Sequence, residues 1–125
     1  MSNISKNQLV LASLLMGTAV MLGAFGAHGL KNILEPRLLE TFQTGVRYQV
    51  YHAMALLLCG VLGLHKVETK KASLFFFIGI IFFSINCYIY ALSQVKFFAM
   101  IIPIGGASFI LGWFVLAYST FKGSK

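Results

Sequence analysis

With 125 residues, 58% of them apolar and only 10% charged, the chain lacks the polar surface that a soluble domain of this size presents to water. Its mean hydropathy of +0.84 places it in a membrane. The formal net charge of +7 does not indicate a nucleic-acid partner, because the Lys and Arg residues are spread over loops and termini without a basic, aromatic-interleaved stripe.

A bilayer core about 30 Å thick needs roughly 20 apolar residues per helix. Four stretches meet that requirement, at about 8–30, 46–64, 72–92 and 97–118. The predicted fold is all-α: a four-transmembrane-helix bundle with a short interfacial amphipathic helix between helices 1 and 2. Residues 1–125 form a single integral membrane domain with no room for a soluble catalytic unit.

The first span follows a polar segment in which Ser5 or Asn7 is placed to cap a helix. The apolar run exceeds the usual signal-peptide core of about 7–15 residues, so it reads as retained. Ala19, Gly23 and Ala27 recur every four residues, and Gly26 lies beside them. In lipid, small residues at this spacing let helix backbones approach closely, which makes this face a packing seam. His28 sits on its flank.

Between Lys31 and Gly45, Pro36 suits a first helical turn. Leu34, Leu38, Leu39 and Phe42 fall on one side, while Arg37, Glu40, Thr41 and Thr44 fall on the other. The pattern predicts an interfacial helix that Gly45 stops or bends.

The second span starts with Tyr48, Gln49 and His52 on one stripe, continued by Ala55, Cys59 and Gly63. Arg47 and Tyr51 point elsewhere and read as interfacial anchors. The charged turn that follows carries Lys66, Lys70 and Lys71, suited to anionic headgroups. The third span is rich in Phe and gathers its polar residues near its end, Asn86 among them. At the helical rise, His52 lies about 6 Å in from Tyr48 and Asn86 about 9 Å in from Leu92, similar depths on one side. Cys59 and Cys87 differ too much in depth to form a disulfide. In the fourth span, Pro103 with Gly105 and Gly106 permits bending and close approach, and Ser108 and Gly112 form another small seam.

Four spans put Lys6, Lys66, Lys70, Lys71, Lys122 and Lys125 on one side and Lys31, Arg37, Arg47 and Lys96 on the other. The positive-inside rule then predicts a multi-pass plasma (inner) membrane protein with both termini cytoplasmic.

Unsatisfied polar groups are costly in hydrocarbon, so His28, Tyr48, Gln49, His52 and Asn86 are expected to meet inside the bundle. Three readings of that cluster are open. The favoured one is a hydrogen-bond network that fixes how the helices meet. The second is a small oligomeric transporter or channel, against which stands the absence of any Asp or Glu within a span. The third is haem or metal ligation by two histidines, for which no third ligand or carboxylate partner is evident. The expected function is non-enzymatic, without catalytic residues, cofactor or resident metal. Its partners are the lipid bilayer, another membrane protein or further copies of the chain, and no nucleic acid.

Residues Gly23 to Leu30, Thr41 to Gly45, Tyr48-Gln49, Tyr51-His52-Ala53, Gly105-Gly106 and Gly112-Trp113 occur in one order along the chain. This pattern resembles the YgdD/YwdK-like family of small inner-membrane proteins. The resemblance implies four transmembrane helices and a domain of unknown function, with no catalytic residue or cofactor to carry over.

Overall fold

A computed structural model describes residues 3–123, which fold as four helical rods with no strand among the described residues. The first rod is α1 (Asn3–Ala24), continued by a π-helical turn at Phe25–Gly29. The second is α2 (Pro36–Leu64). The third joins α3 (Lys70–Gly79) and α4 (Asn86–Ser93) through a π-helical turn at Ile80–Ile85. The fourth is α5 (Lys96–Lys122). Three of these rods, Asn3–Gly29, Lys70–Ser93 and Lys96–Lys122, are long and apolar enough to cross a membrane. The polar residues at Arg47, Gln49 and His52 keep α2 out of that set.

Two sequence-based expectations about boundaries fail. The first helix already includes Asn3, so Ser5 and Asn7 lie inside it and not at its N-cap. Lys125, counted in the charge balance, lies outside the described residues. The separate interfacial helix does not exist either: Pro36 occupies the first turn as expected, but the helix passes through Gly45 and runs on to Leu64. Gly45 is a point of close approach. A Cβ there would stand 2.8 Å from both Cys87 Cβ and Tyr88 Cε1, and 3.0 Å from the Ser84 carbonyl oxygen. The Ser84 hydroxyl donates to the Gly45 carbonyl at 2.7 Å, a bond possible only because the two backbones nearly touch.

The apolar side of the first α2 turns packs inward, Leu38 and Phe42 being buried while Arg37 and Glu40 are exposed. Phe42 forms a small core with Leu30 and Ala91 at one end of the bundle. The main core joins Ala12, Ala55, Leu56, Cys59, Phe76, Ile80, Phe109 and Leu116. Cys59 and Cys87 are both buried and free. Elsewhere, large apolar side chains such as Leu14, Met21, Leu74, Ile104 and Phe114 point outward, the pattern of a protein solvated by lipid.

Both π turns change which residues face inward. In a π turn the amide bonds five residues back, as Leu30 does to the Phe25 carbonyl at 3.1 Å, so one extra residue is inserted and the following side chains rotate. Ala19, ahead of the first turn, is buried and Gly23 half-buried, while within the turn Gly26 is buried and Ala27 and His28 are turned outward. The Ile80–Ile85 turn lets α5 approach closely: a Cβ on Gly105 would collide with the backbone nitrogen of Phe83 and lie 2.7 Å from the Phe82 carbonyl carbon. Gly112 accepts the Phe76 ring in the same way, 2.7 Å from where a Cβ would stand.

Candidate functional site

The five residues expected to form one cluster are divided among four environments. Gln49 is buried between helices: its amide nitrogen donates to the Leu15 carbonyl of α1 at 2.8 Å, and its amide oxygen accepts from the Tyr88 hydroxyl of α4 at 2.7 Å. It therefore ties three helices together.

His52, three residues on, turns to α3 and α5 instead. Its Nδ1 lies 2.7 Å from the Tyr48 carbonyl oxygen and its Nε2 lies 3.1 Å from the Trp113 indole nitrogen. An indole N–H only donates and a carbonyl only accepts, so these partners fix the neutral tautomer with the proton on Nδ1. The imidazole lies flat against Phe109, with centroids 3.5 Å apart and planes 7° apart, and meets the Phe76 ring at 5.6 Å.

Asn86 is buried but serves its own helix, donating to the Phe82 carbonyl at 2.9 Å and the Ile81 carbonyl at 3.3 Å. The π turn explains this, because its irregular ladder displaces carbonyls that a polar side chain can then satisfy. His28 is exposed at the end of the first rod. The structure thus does not bring His28, Gln49, His52 and Asn86 together. The depth comparison failed because it started α2 at Tyr48. The helix starts at Pro36, sixteen residues before His52, or about 24 Å along the axis, whereas Asn86 is seven residues, about 10 Å, from the end of α4. His52 is level with Phe76.

Tyr48 is partly exposed and packs against Phe83 with ring centroids 4.6 Å apart and planes tilted by 33°. It forms one wall of a groove of about 710 Å³ between α2 and α5. Tyr51, His52, Phe109 and Trp113 complete its aromatic lining, and Pro103, Gly106 and Ala107 line its other part. Gly106 leaves the groove open: a Cβ there would meet nothing closer than the Phe83 ring at 3.8 Å. Of the small residues singled out from sequence, Gly105 and Gly112 are buried at helix contacts, and Gly106 belongs to this groove.

Sequence reasoning missed Tyr88 and Trp113, the partners of Gln49 and His52. It also missed a second buried polar node at the other end of the bundle. There the Gln8 amide nitrogen donates to Ser73 Oγ at 2.6 Å and Thr69 Oγ1 at 3.3 Å, and the Thr69 hydroxyl donates to the Cys59 carbonyl at 2.9 Å. The Gln8 amide oxygen is buried without a hydrogen-bond partner among the described residues. The available signal was positional, since Gln8 falls on the same helical face as Ala12 and Ala19, and Thr69 and Ser73 are four apart. Ser108 on α5 donates to the Phe75 carbonyl of α3 at 2.7 Å.

Lipid-facing apolar helices around a sparse interior of hydrogen-bonded polar residues define an all-helical integral membrane protein. Residues 22–106 match the family described as "Protein of unknown function (DUF423)", and the chain belongs to that family. It is 40% identical over 115 residues to a UPF0382 membrane protein of Staphylococcus haemolyticus strain JCSC1435, covering 91% of this chain and 94% of that protein. Its identity is 43% to the counterpart in the Staphylococcus aureus bovine strain RF122 / ET3-1, with the same coverage. It is 41% to that of Staphylococcus saprophyticus, covering 91% of this chain and 96% of the relative. No solved structure matches the chain.

Proposed function

We propose that this protein is a non-enzymatic, four-span component of the plasma membrane that binds a lipid molecule in the groove between α2 and α5. The groove itself carries the reading. It is large enough for part of a lipid, lined almost wholly by rings and small side chains, and bordered by the Tyr48 and Tyr51 side chains that can hydrogen-bond a polar head. Its occupant must come from the bilayer if α2 spans it. Supporting that, the outward stripe of α2 is Tyr51, Met54, Leu58 and Val61, all exposed and suited to lipid, while Gln49 and His52 are turned inward. The turns from Pro36 to Gly45, with the exposed Glu40–Arg47 ion pair at 2.7 Å, then lie at headgroup level. The lysine excess at the end holding Lys6, Lys66, Lys70, Lys71 and Lys122 favours cytoplasmic termini.

Mild-detergent purification followed by native mass spectrometry tests the lipid assignment. Wild type is expected to retain a lipid that Gly106→Leu, which fills the groove with little strain, does not. Wild type without bound lipid, or equal retention by the variant, refutes the assignment. Ion or solute flux in liposomes abolished by His52→Ala would replace it with transport. Reporter fusions at the carboxyl terminus test the orientation, and an external reporter overturns it.

A further inference from the structure

The opposite end of the bundle carries a second cleft, of about 330 Å³, between the start of α3 and the end of α5. Lys70 and Lys71 border it from one side and Lys122 from the other, although the two segments are some fifty residues apart in sequence. Tyr118 and Ser119 line it between them. The Lys122 ammonium sits 5.7 Å from the centroid of the Tyr118 ring, which holds the charge beside the cleft. One carboxylate, Glu68, also borders the cleft, and it accepts the Lys70 backbone N–H at 2.7 Å. That bond turns the carboxylate toward the first turn of α3, and the three lysines bordering the cleft outnumber its single negative charge.

Lys70 also borders a neighbouring cleft of about 290 Å³ between α1 and α3. That cleft is apolar along Leu11, Leu74 and Phe77, and Leu74 and Phe77 follow Lys70 at helical spacings of four and seven. Cationic and apolar surfaces therefore adjoin at one residue, at the point where a helix leaves the apolar part of its sequence.

We propose that this end of the protein is a binding site for an anionic phospholipid, with the headgroup phosphate among Lys70, Lys71 and Lys122 and an acyl chain along the α1–α3 cleft. A soluble anion would use the lysines alone and leave the apolar cleft unused. A phospholipid uses both. The site is separate from the α2–α5 groove and shares no residue with it.

The full chain in nanodiscs of mixed phosphatidylglycerol and phosphatidylethanolamine, analysed by native mass spectrometry, tests this. Each lysine near an anionic headgroup is worth about a fivefold change in affinity. Wild type should carry phosphatidylglycerol enriched over the bulk ratio. Lys70→Gln/Lys71→Gln/Lys122→Gln should lose that enrichment by about tenfold or more. Lys31→Gln/Lys96→Gln, at the other end, and Gly106→Leu, in the other groove, should keep it. All three lysines are exposed, so folding is expected to survive, and the circular dichroism melt of the triple variant in neutral nanodiscs checks that it does. Leu74→Gln, with its lysines intact, should lower the enrichment as well. No enrichment in wild type, or equal enrichment in the triple variant, overturns the proposal. Displacement of phosphatidylglycerol by inorganic phosphate with no effect of Leu74→Gln overturns the lipid source in favour of a free anion.

Discussion

Gly45 offers a test in which two readings of one residue predict opposite signs. If it were a helix-interior position with nothing packed against it, Ala would be the better helix former there by about 1 kcal/mol, and Gly45→Ala would stabilise the protein. In the folded chain the new Cβ would lie 2.8 Å from Cys87 Cβ and Tyr88 Cε1, against about 3.5–4.0 Å for carbon atoms in contact. The tyrosine ring can move; the Ser84 carbonyl oxygen at 3.0 Å is backbone and cannot. Relief therefore requires α2 to separate from the third rod by about 0.7 Å or more. The 2.7 Å Ser84–Gly45 hydrogen bond would then stretch past its useful range. Overpacking costs about 1–3 kcal/mol and an interhelical hydrogen bond about 0.6 kcal/mol, offset by about 1 kcal/mol of helix propensity, so the variant should lose about 1–2.5 kcal/mol. Reversible unfolding in mixed micelles of rising dodecyl sulfate fraction measures the change, and Cys87→Gly in the same background should recover part of it. Stabilisation, or a loss below about 0.5 kcal/mol, would refute the close-approach argument.

Tyr88→Phe removes the donor to Gln49 and should cost about 0.6–1.7 kcal/mol in the same assay, with non-additivity when combined with Gln49→Leu; strict additivity would deny the shared bond. Trp113→Phe should free His52 Nε2, and nitrogen NMR of the labelled histidine checks this through a shift at Nε2 with Nδ1 still protonated. His28→Ala should change stability by less than about 0.5 kcal/mol and add independently to His52→Ala, because His28 is exposed and outside the network. Arg47→Ala should likewise stay within about 0.5 kcal/mol, its Glu40 partner being exposed, and unfolding at two salt concentrations tests this.

Three of the spans were legible because the feature that defines them, length of apolar sequence, is also what the bilayer selects. The predicted 72–92 and 97–118 fall inside the observed 70–93 and 96–122, and the end of α2 at Leu64 is met. The seam residues Ala19, Gly26, Gly105 and Gly112 were legible for a related reason, since a missing side chain at a helix contact leaves a trace in composition. What escaped was rotation and register. Each π turn inserts one residue without any change in hydropathy, and the four-residue step from Gly23 that assigned Ala27 to the seam fails there, Gly26 being buried while Ala27 and His28 are exposed. Gly45 misled in another way: glycine serves both to end helices and to admit a neighbour, and sequence alone does not separate the two.

The same displacement clarifies which polar residues bear on function. Gln49, Ser84, Ser108 and Thr69 each donate to a backbone carbonyl, and the first three reach across to another helix at Leu15, Gly45 and Phe75. A carbonyl already within a helix keeps a second lone pair, so each donor is satisfied without a polar partner having to be placed opposite it. Such bonds explain themselves as packing and need no ligand. His52 likewise donates to a backbone carbonyl, that of Tyr48, and like Gln49 it meets a side chain, but its surroundings differ. Its Nε2 partner is a side chain, Trp113, and both residues line an open groove rather than a closed contact. Phe109 lies flat against the imidazole. A residue needed only to join α2 to α5 could be any hydroxyl against a carbonyl, as Ser108 is for α3 and α5. Orienting an imidazole, an indole and two tyrosines around unfilled space is a more demanding arrangement, and it is this difference that makes the α2–α5 groove, and not the wider set of buried polar residues, the place to look for a bound molecule.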